Sequence, residues 1–188
     1  RARIIYEEPQ LPLQRILRIH VNSTLTGENF NLSFNDGFTA VIGGRGSGKS
    51  SILEYLQFGL GRSEFDGTVV NASRESRGSA LIEKTLLGGG VEVTLERDGI
   101  TEKWMRTLAE QDKISVVVNE ETYELTPQEA QRRFQARSFR QKQLSSLVTD
   151  QKQASSQITS IAAAEFIVQQ GQLEHEISAL KREITSKF

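Results

Sequence analysis

The segment FTAVIGGRGSGKS, Phe38 to Ser50, leaves this chain few folds to choose from. A short, mostly apolar run is followed at once by Gly43-Gly44-Arg45-Gly46-Ser47-Gly48-Lys49-Ser50, which fits G-x-x-x-x-G-K-[ST]. Such a loop suits a triphosphate, whose charge exceeds what one side chain can offset. The chain must therefore curl its backbone N–H groups around the phosphates, and glycines permit the dihedrals and the close approach. Lys49 is expected to bridge the β and γ phosphates and Ser50 to hold Mg²⁺. The residues from Gly43 to Ser51 should line the tail, with the positive end of a following helix completing the grip.

The flanking sequence has the form this chemistry needs. Phe38 to Ile42 is short and apolar, as in a strand buried on both faces. In SSILEYLQFGLG, Ile52, Leu53, Leu56 and Leu60 recur at helical spacing, with Gly59 and Gly61 able to end the helix. Upstream, Arg15 to Val21 and Asn29 to Phe34 alternate with a period of two and read as paired strands. Downstream, residues 65 to 79 read as a polar loop and Ala80 to Leu87 as a short helix stopped by Gly88, Gly89 and Gly90. VEVTLERDGITEKWMRTL and ISVVVNEETYEL read as hairpins, the first turning at Asp98-Gly99. Thr126-Pro127-Gln128-Glu129 is a capping box that opens a helix through about Phe134.

From about Gln143 the composition shifts to Gln, Ser, Ala, Glu and Lys. Leu173, Ile177, Leu180 and Ile184 carry a coiled-coil rhythm, with an apolar stripe at Ile158, Ile161 and Phe166 upstream. The expected organisation is an N-terminal segment over 1–14, a nucleotide-binding lobe over 15–142 and a coiled-coil helix over 143–188. The chain starts at an arginine and stops at Phe188 within the repeat, so it is expected to be part of something longer.

Composition excludes several classes. With 23 basic and 24 acidic residues the net charge is -1, which supplies no general attraction to nucleic acid or anionic lipid. There is no cysteine, which rules out disulfides and thiolate metal sites and fits a reducing cytoplasm. His20 and His175 are too far apart in sequence to suggest a zinc cluster. No run approaches the roughly 20 apolar residues of a membrane span, so no membrane partner is expected. An Asn-Lys-x-Asp guanine-reading motif is absent, which favours ATP over GTP.

The order strand, loop, strand, turn, FTAVIGGRGSGKSSILEYLQFGL resembles the amino-terminal lobe of the SMC, RecF and RecN group of ABC-type ATPases, which includes the repair ATPase that partners the Mre nuclease. FRQKQLSSLV, Phe139 to Val148, resembles that group's Q-loop. The resemblance implies an α/β P-loop NTPase with a mixed β region, followed by a long coiled-coil helix. It also implies that Gln141 ligands Mg²⁺ and senses the γ phosphate, so that Lys49 and Gln141 are the catalytic candidates here. The group's remaining motifs follow a coiled-coil excursion, so the implied partners are a C-terminal lobe, a second head across two sandwiched ATP molecules, DNA and an associated nuclease. The implied roles are DNA repair, chromosome maintenance or antiviral defence. Arg45 stands where the group usually has asparagine, and Val21-Asn22-Ser23-Thr24 lacks the arginine it often carries after the first strand.

Two other readings stay open. A self-contained kinase or GTPase would need Glu120 or Asp66 as its metal carboxylate. A nucleotide-dependent interaction module would use the terminal helix to bind a partner. VVVNEE, 116 to 121, reads as a hairpin turn because TYEL follows at once, and LLGGG, 86 to 90, reads as a helix stop because it lacks the serine and glutamine of an ABC signature. Arg132, Arg133, Arg137 and Arg140 are candidate phosphate contacts on a face that is otherwise solvated.

Overall fold

The computed structural model describes residues 11–63, 66, 77–138 and 155. The chain divides into two compact units, Arg1–Arg137 and Ser138–Phe188, and every element below belongs to the first. The expected coiled coil lies outside the described residues.

The alternating segments around the first turn form β1 (Gln14–Ser23) and β2 (Gly27–Ser33), paired antiparallel with Arg18 opposite Ser33. The helix after the glycine loop is α1 (Lys49–Gly59), and α2 follows over Arg77–Thr85. α2 starts and ends before the stretch expected from the sequence, and Gly88 at φ +73° turns the chain away behind it. Then come β3 (Gly90–Arg97), β4 (Ile100–Thr107), β5 (Ile114–Val118), β6 (Glu121–Leu125) and α3 (Pro127–Arg133).

The strands make one sheet in the order β2-β1-β3-β4-β5-β6, antiparallel at every pairing. The expected mixed β region is thus corrected among the described residues. Phe38 to Ile42 forms no strand there, and Phe38 and Ile42 are 87% and 92% exposed rather than buried on both faces. A strand is defined by its ladder partners, and among the described residues no strand pairs with this segment. Apolar composition cannot supply that neighbour.

Both later hairpins close through two residues at positive φ, Asp98 and Gly99 at 53° and 78°, Asn119 and Glu120 at 48° and 70°. Left-handed dihedrals at both turn positions match the right-handed twist of the flanking strands. Arg97 therefore lies opposite Ile100, and Val118 opposite Glu121.

One face of the sheet is apolar. Ile19, Val21, Val91, Val93, Leu95, Trp104, Ile114 and Val116 are fully buried in one cluster with residues of all three helices. The other face is polar and laced with the ion pairs Arg15–Glu96, Arg18–Glu92 and Lys113–Glu124, which is the pattern of a half-solvated antiparallel sheet. α1 lies closely on β3 because Gly59 has no side chain. A Cβ there would come within 2.7 Å of Val93 Cγ2 and 3.0 Å of Val91 Cγ1.

α3 is held to the sheet by a buried carboxylate. Its capping box forms as expected, with Thr126 Oγ1 accepting from Glu129 N and Glu129 Oε2 accepting from Thr126 N. At its other end Arg133 donates two bonds to Glu102, whose side chain is 0% exposed and also accepts from Trp104 Nε1 at 2.8 Å and from Arg97 Nε. Burial pushes the Glu102 carboxyl up, but the hydrogen bonds from Arg133 and Trp104, with the charges of Arg133 and Arg97, outweigh it and leave the group below its ordinary value. A depressed carboxylate contributes stability that is complete above the ordinary carboxylate range and lost as pH falls through the folded value. Glu102→Gln should therefore be less stable than wild type at neutral pH, with the gap closing below the usual carboxylate range. Urea midpoints measured down the acid limb check this, and a gap independent of pH would contradict it.

Candidate functional site

The glycine loop lies directly before α1. Gly46 and Gly48 both adopt φ +82°, a region that residues with a Cβ rarely enter, and around an ideal Cβ at Gly44, Gly46 or Gly48 there is open space within 4 Å. Gly43 is different, since a Cβ there would meet Ser47 Oγ at 2.5 Å. The loop is closed by Ser47 Oγ donating to Gly44 O at 3.0 Å and by Lys49 Nζ, which donates to Gly43 O at 2.5 Å, Gly44 O at 2.6 Å and Ser47 Oγ at 3.2 Å. The ammonium thus sits within the curl of the loop.

The start of α1 suits an anion. The first intrahelical bond here runs from Ile52 N to Gly48 O, so the N–H groups of Lys49, Ser50 and Ser51 have no helical acceptor. Gly48 offers no side-chain cap, and the first turn carries no acidic residue. Donors, dipole and lysine therefore converge on one exposed loop, and a triphosphate fits them. All of the loop candidates, Gly43, Gly44, Arg45, Gly46, Ser47, Gly48, Lys49, Ser50 and Ser51, fall on this continuous stretch. Ser50, expected to hold Mg²⁺, stands in the first turn of α1. No cluster of three or more acidic or histidine groups able to hold a metal occurs among the described residues. Gln141 and Arg140 lie outside the described residues.

Of the two carboxylates of the self-contained reading, Asp66 does not reach this loop. Asp66 follows the far end of α1, and an 11-residue helix separates the two by about 16 Å. Its side chain is 1% exposed and bound to Arg106, with Oδ1 2.6 Å from Nη2. Glu120 occupies a hairpin turn. Arg133, a candidate phosphate contact, is engaged with Glu102, while Arg132 and Arg137 are exposed.

Leu60 is buried and Leu56 packs against the core as their spacing suggests, but the helix buries further residues that the spacing does not mark. Tyr55, Phe58 and Gly59 are buried, whereas Leu53 is 53% exposed. Sequence periodicity does not single out Tyr55. Its hydroxyl lies 2.8 Å from Thr85 Oγ1 and 3.1 Å from Ser23 Oγ, and Ser23 in turn bonds Thr26 across the β1–β2 turn. The phosphate-loop helix is thereby tied to that turn and to the end of α2. A tyrosine between leucines on a short helix is the available signal, since a buried phenol needs a partner.

Together, fold and loop define a nucleotide-binding protein of the P-loop type. A family model described as an AAA domain matches residues 17–187, and the chain belongs to that family. Its members have the P-loop NTPase fold, and membership supports an ATPase-type nucleotide-binding function, generally with ATP and Mg²⁺. No curated protein matches the chain. No helix among the described residues is long and apolar enough to cross a membrane.

Proposed function

We propose that this chain is the ATP-binding lobe of an SMC/RecF-like machine acting on DNA. The observation that carries the reading is the glycine loop whose lysine and unpaired helix N–H groups converge at the start of α1. In this role Lys49 would grip the β and γ phosphates and Ser50 would help to hold Mg²⁺, which when bound would supply charge neutralisation for phosphoryl transfer. Lys49 and Gln141 are the residues assigned to the reaction, with Gln141 as second metal ligand and γ-phosphate sensor by resemblance alone.

A C-terminal lobe completes the head in this proposal. Phe38 and Ile42 at 87% and 92% exposure and Leu53 at 53% border the loop in sequence. Covering a side chain of this kind contributes about 1.5–3 kcal/mol. The same lobe would bring a carboxylate to the metal. Two such heads closing on two ATP molecules, and opening after hydrolysis, would drive the attached arm and its DNA or nuclease partner. Repair, chromosome maintenance and antiviral defence are the proposed settings, on resemblance.

The test is ATP turnover against protein concentration, for this chain and for a longer polypeptide carrying the second lobe. The expected result is slow turnover by the chain alone and a rate per head that rises with concentration in the longer protein. Brisk turnover strictly linear in the short chain would instead identify a self-contained enzyme, and binding without turnover in both would identify an interaction module.

A further inference from the structure

The far end of the phosphate-loop helix is locked to α3 by bonds that run in both directions. Arg62, three residues past α1, donates from Nη2 to Gln131 O and to Phe134 O, each at 2.9 Å. Gln131 Nε2 donates back to Gly61 O. Gly61 itself, at φ +67°, lies against the start of α3, where an added Cβ would be 3.0 Å from Pro127 Cα. Both ends of the short helix are thus pinned to the two residues that leave α1.

This is an unusual way to hold a helix. Arg62 is half-buried, its Nε is buried with no hydrogen-bond partner, and no carboxylate among the described residues pairs with it. Burial, and then the charge of Arg137, push its guanidinium below the ordinary arginine range. A well-fitted apolar side chain would be the more stable choice at such a position. What the guanidinium adds is direction, since one planar group aimed at two carbonyls accepts only one placement of α3.

We propose that Arg62 is a positioning residue: with Gln131 it couples the phosphate-loop helix to α3, so that nucleotide at the loop is felt at α3. This rests on the reading of the loop as an ATP site. α1 is the rigid member between the two places, starting at Lys49 and ending at Gly59. α3 stops at Arg133, where Phe134 takes an extended backbone. The remaining anchors, Glu102 to Arg133 and Trp104 edge-on to Phe134, tie α3 to β4, and the variants below leave them intact.

The experiment is hydrogen exchange of the whole chain with and without ATP and Mg²⁺, together with ATP binding. In the wild type, ATP should change the exchange of α3 amides by about 5-fold or more, the lower range of coupling between sites. Arg62→Met should bind ATP with wild-type affinity and lose the α3 response, and Arg62→Lys, which can still reach one carbonyl, should restore part of it. Gln131→Leu removes only the return bond and keeps the test available if Arg62→Met does not fold. In a turnover-competent longer protein, these changes should lower kcat and leave KM in place, a split that simple destabilisation would not produce. A wild type that takes up ATP without any change at α3, or an Arg62→Met protein that keeps the response, overturns the coupling alone. A wild type that takes up no ATP overturns the reading of the loop and the coupling with it.

Discussion

Lys49→Ala is expected to weaken ATP binding by about 10²-fold or more, since two charge-assisted hydrogen bonds to phosphate contribute about 1.5–3 kcal/mol each. The fold should survive the change. Among the described residues Lys49 Nζ bonds to Gly43 O, Gly44 O and Ser47 Oγ, all within the exposed loop, and none of these contacts reaches the core. Melting curves of wild type and variant should therefore nearly coincide while titration with ATP and Mg²⁺ separates them. Lys49→Arg should not rescue fully, because a planar guanidinium cannot occupy the compact position between two carbonyls that the ammonium takes. A folded Lys49→Ala protein with wild-type affinity would show that the loop does not grip a triphosphate, and the proposed function would fall.

The second large effect concerns stability. Arg106 is fully buried and ties β4 and the turn that follows it to Phe58 and Asp66, 48 and 40 residues away. Its Nη2 meets Asp66 Oδ1 at 2.6 Å, its Nη1 donates to Phe58 O at 2.8 Å, and its Nε donates to Gln111 O at 3.0 Å, with the guanidinium 4.5 Å from the centre of the Phe58 ring. Phe58 O belongs to the last turn of α1 and accepts both from Gly61 N at 3.1 Å and from this cation, whose charge suits a helix C-terminus. Arg106→Leu would leave the buried Asp66 carboxylate without its cation, and removing one partner of a buried pair costs about 3–5 kcal/mol. Changing Asp66 to Asn in the same protein should recover part of the loss, because the uncompensated charge goes. Urea unfolding of the single and double variants measures both. A loss well under that range, or a double variant weaker than the single, would show that Arg106 is not the keystone of the α1–β4 junction. In that case α1 would be held by its apolar face alone.

Local chemistry makes much of this protein legible in its sequence. The glycine loop, the capping box at Thr126 and the Asp98-Gly99 hairpin depend on dihedrals and hydrogen bonds that span only a few residues, so their residues specify them directly. The β1–β2 pair is readable for a similar reason, since alternation with a period of two reports which face of a sheet is dry. The Asn119-Glu120 turn is legible too, although a glutamate at φ 70° is a poor turn residue, because the alternation on both sides leaves no room for anything longer.

Other features depend on partners that sequence spacing does not reveal. Phe38 to Ile42 has the composition of a buried strand and is exposed, because burial is conferred by a neighbour. The spacing of α1 suggests a leucine face, and Leu60 and Leu56 do join the core, yet Leu53 is half exposed and Tyr55, Phe58 and Gly59 are buried as well, with Gly59 lying against Val91 and Val93. Asp66 reads as a spare carboxylate in the sequence and is half of a buried pair with a residue 40 positions away. Arg133 reads as a phosphate contact and is an anchor for Glu102, 31 positions back. Dihedral preferences act along the chain and can be read from it, whereas a charge or an apolar face acquires its meaning from whatever long-range folding brings against it.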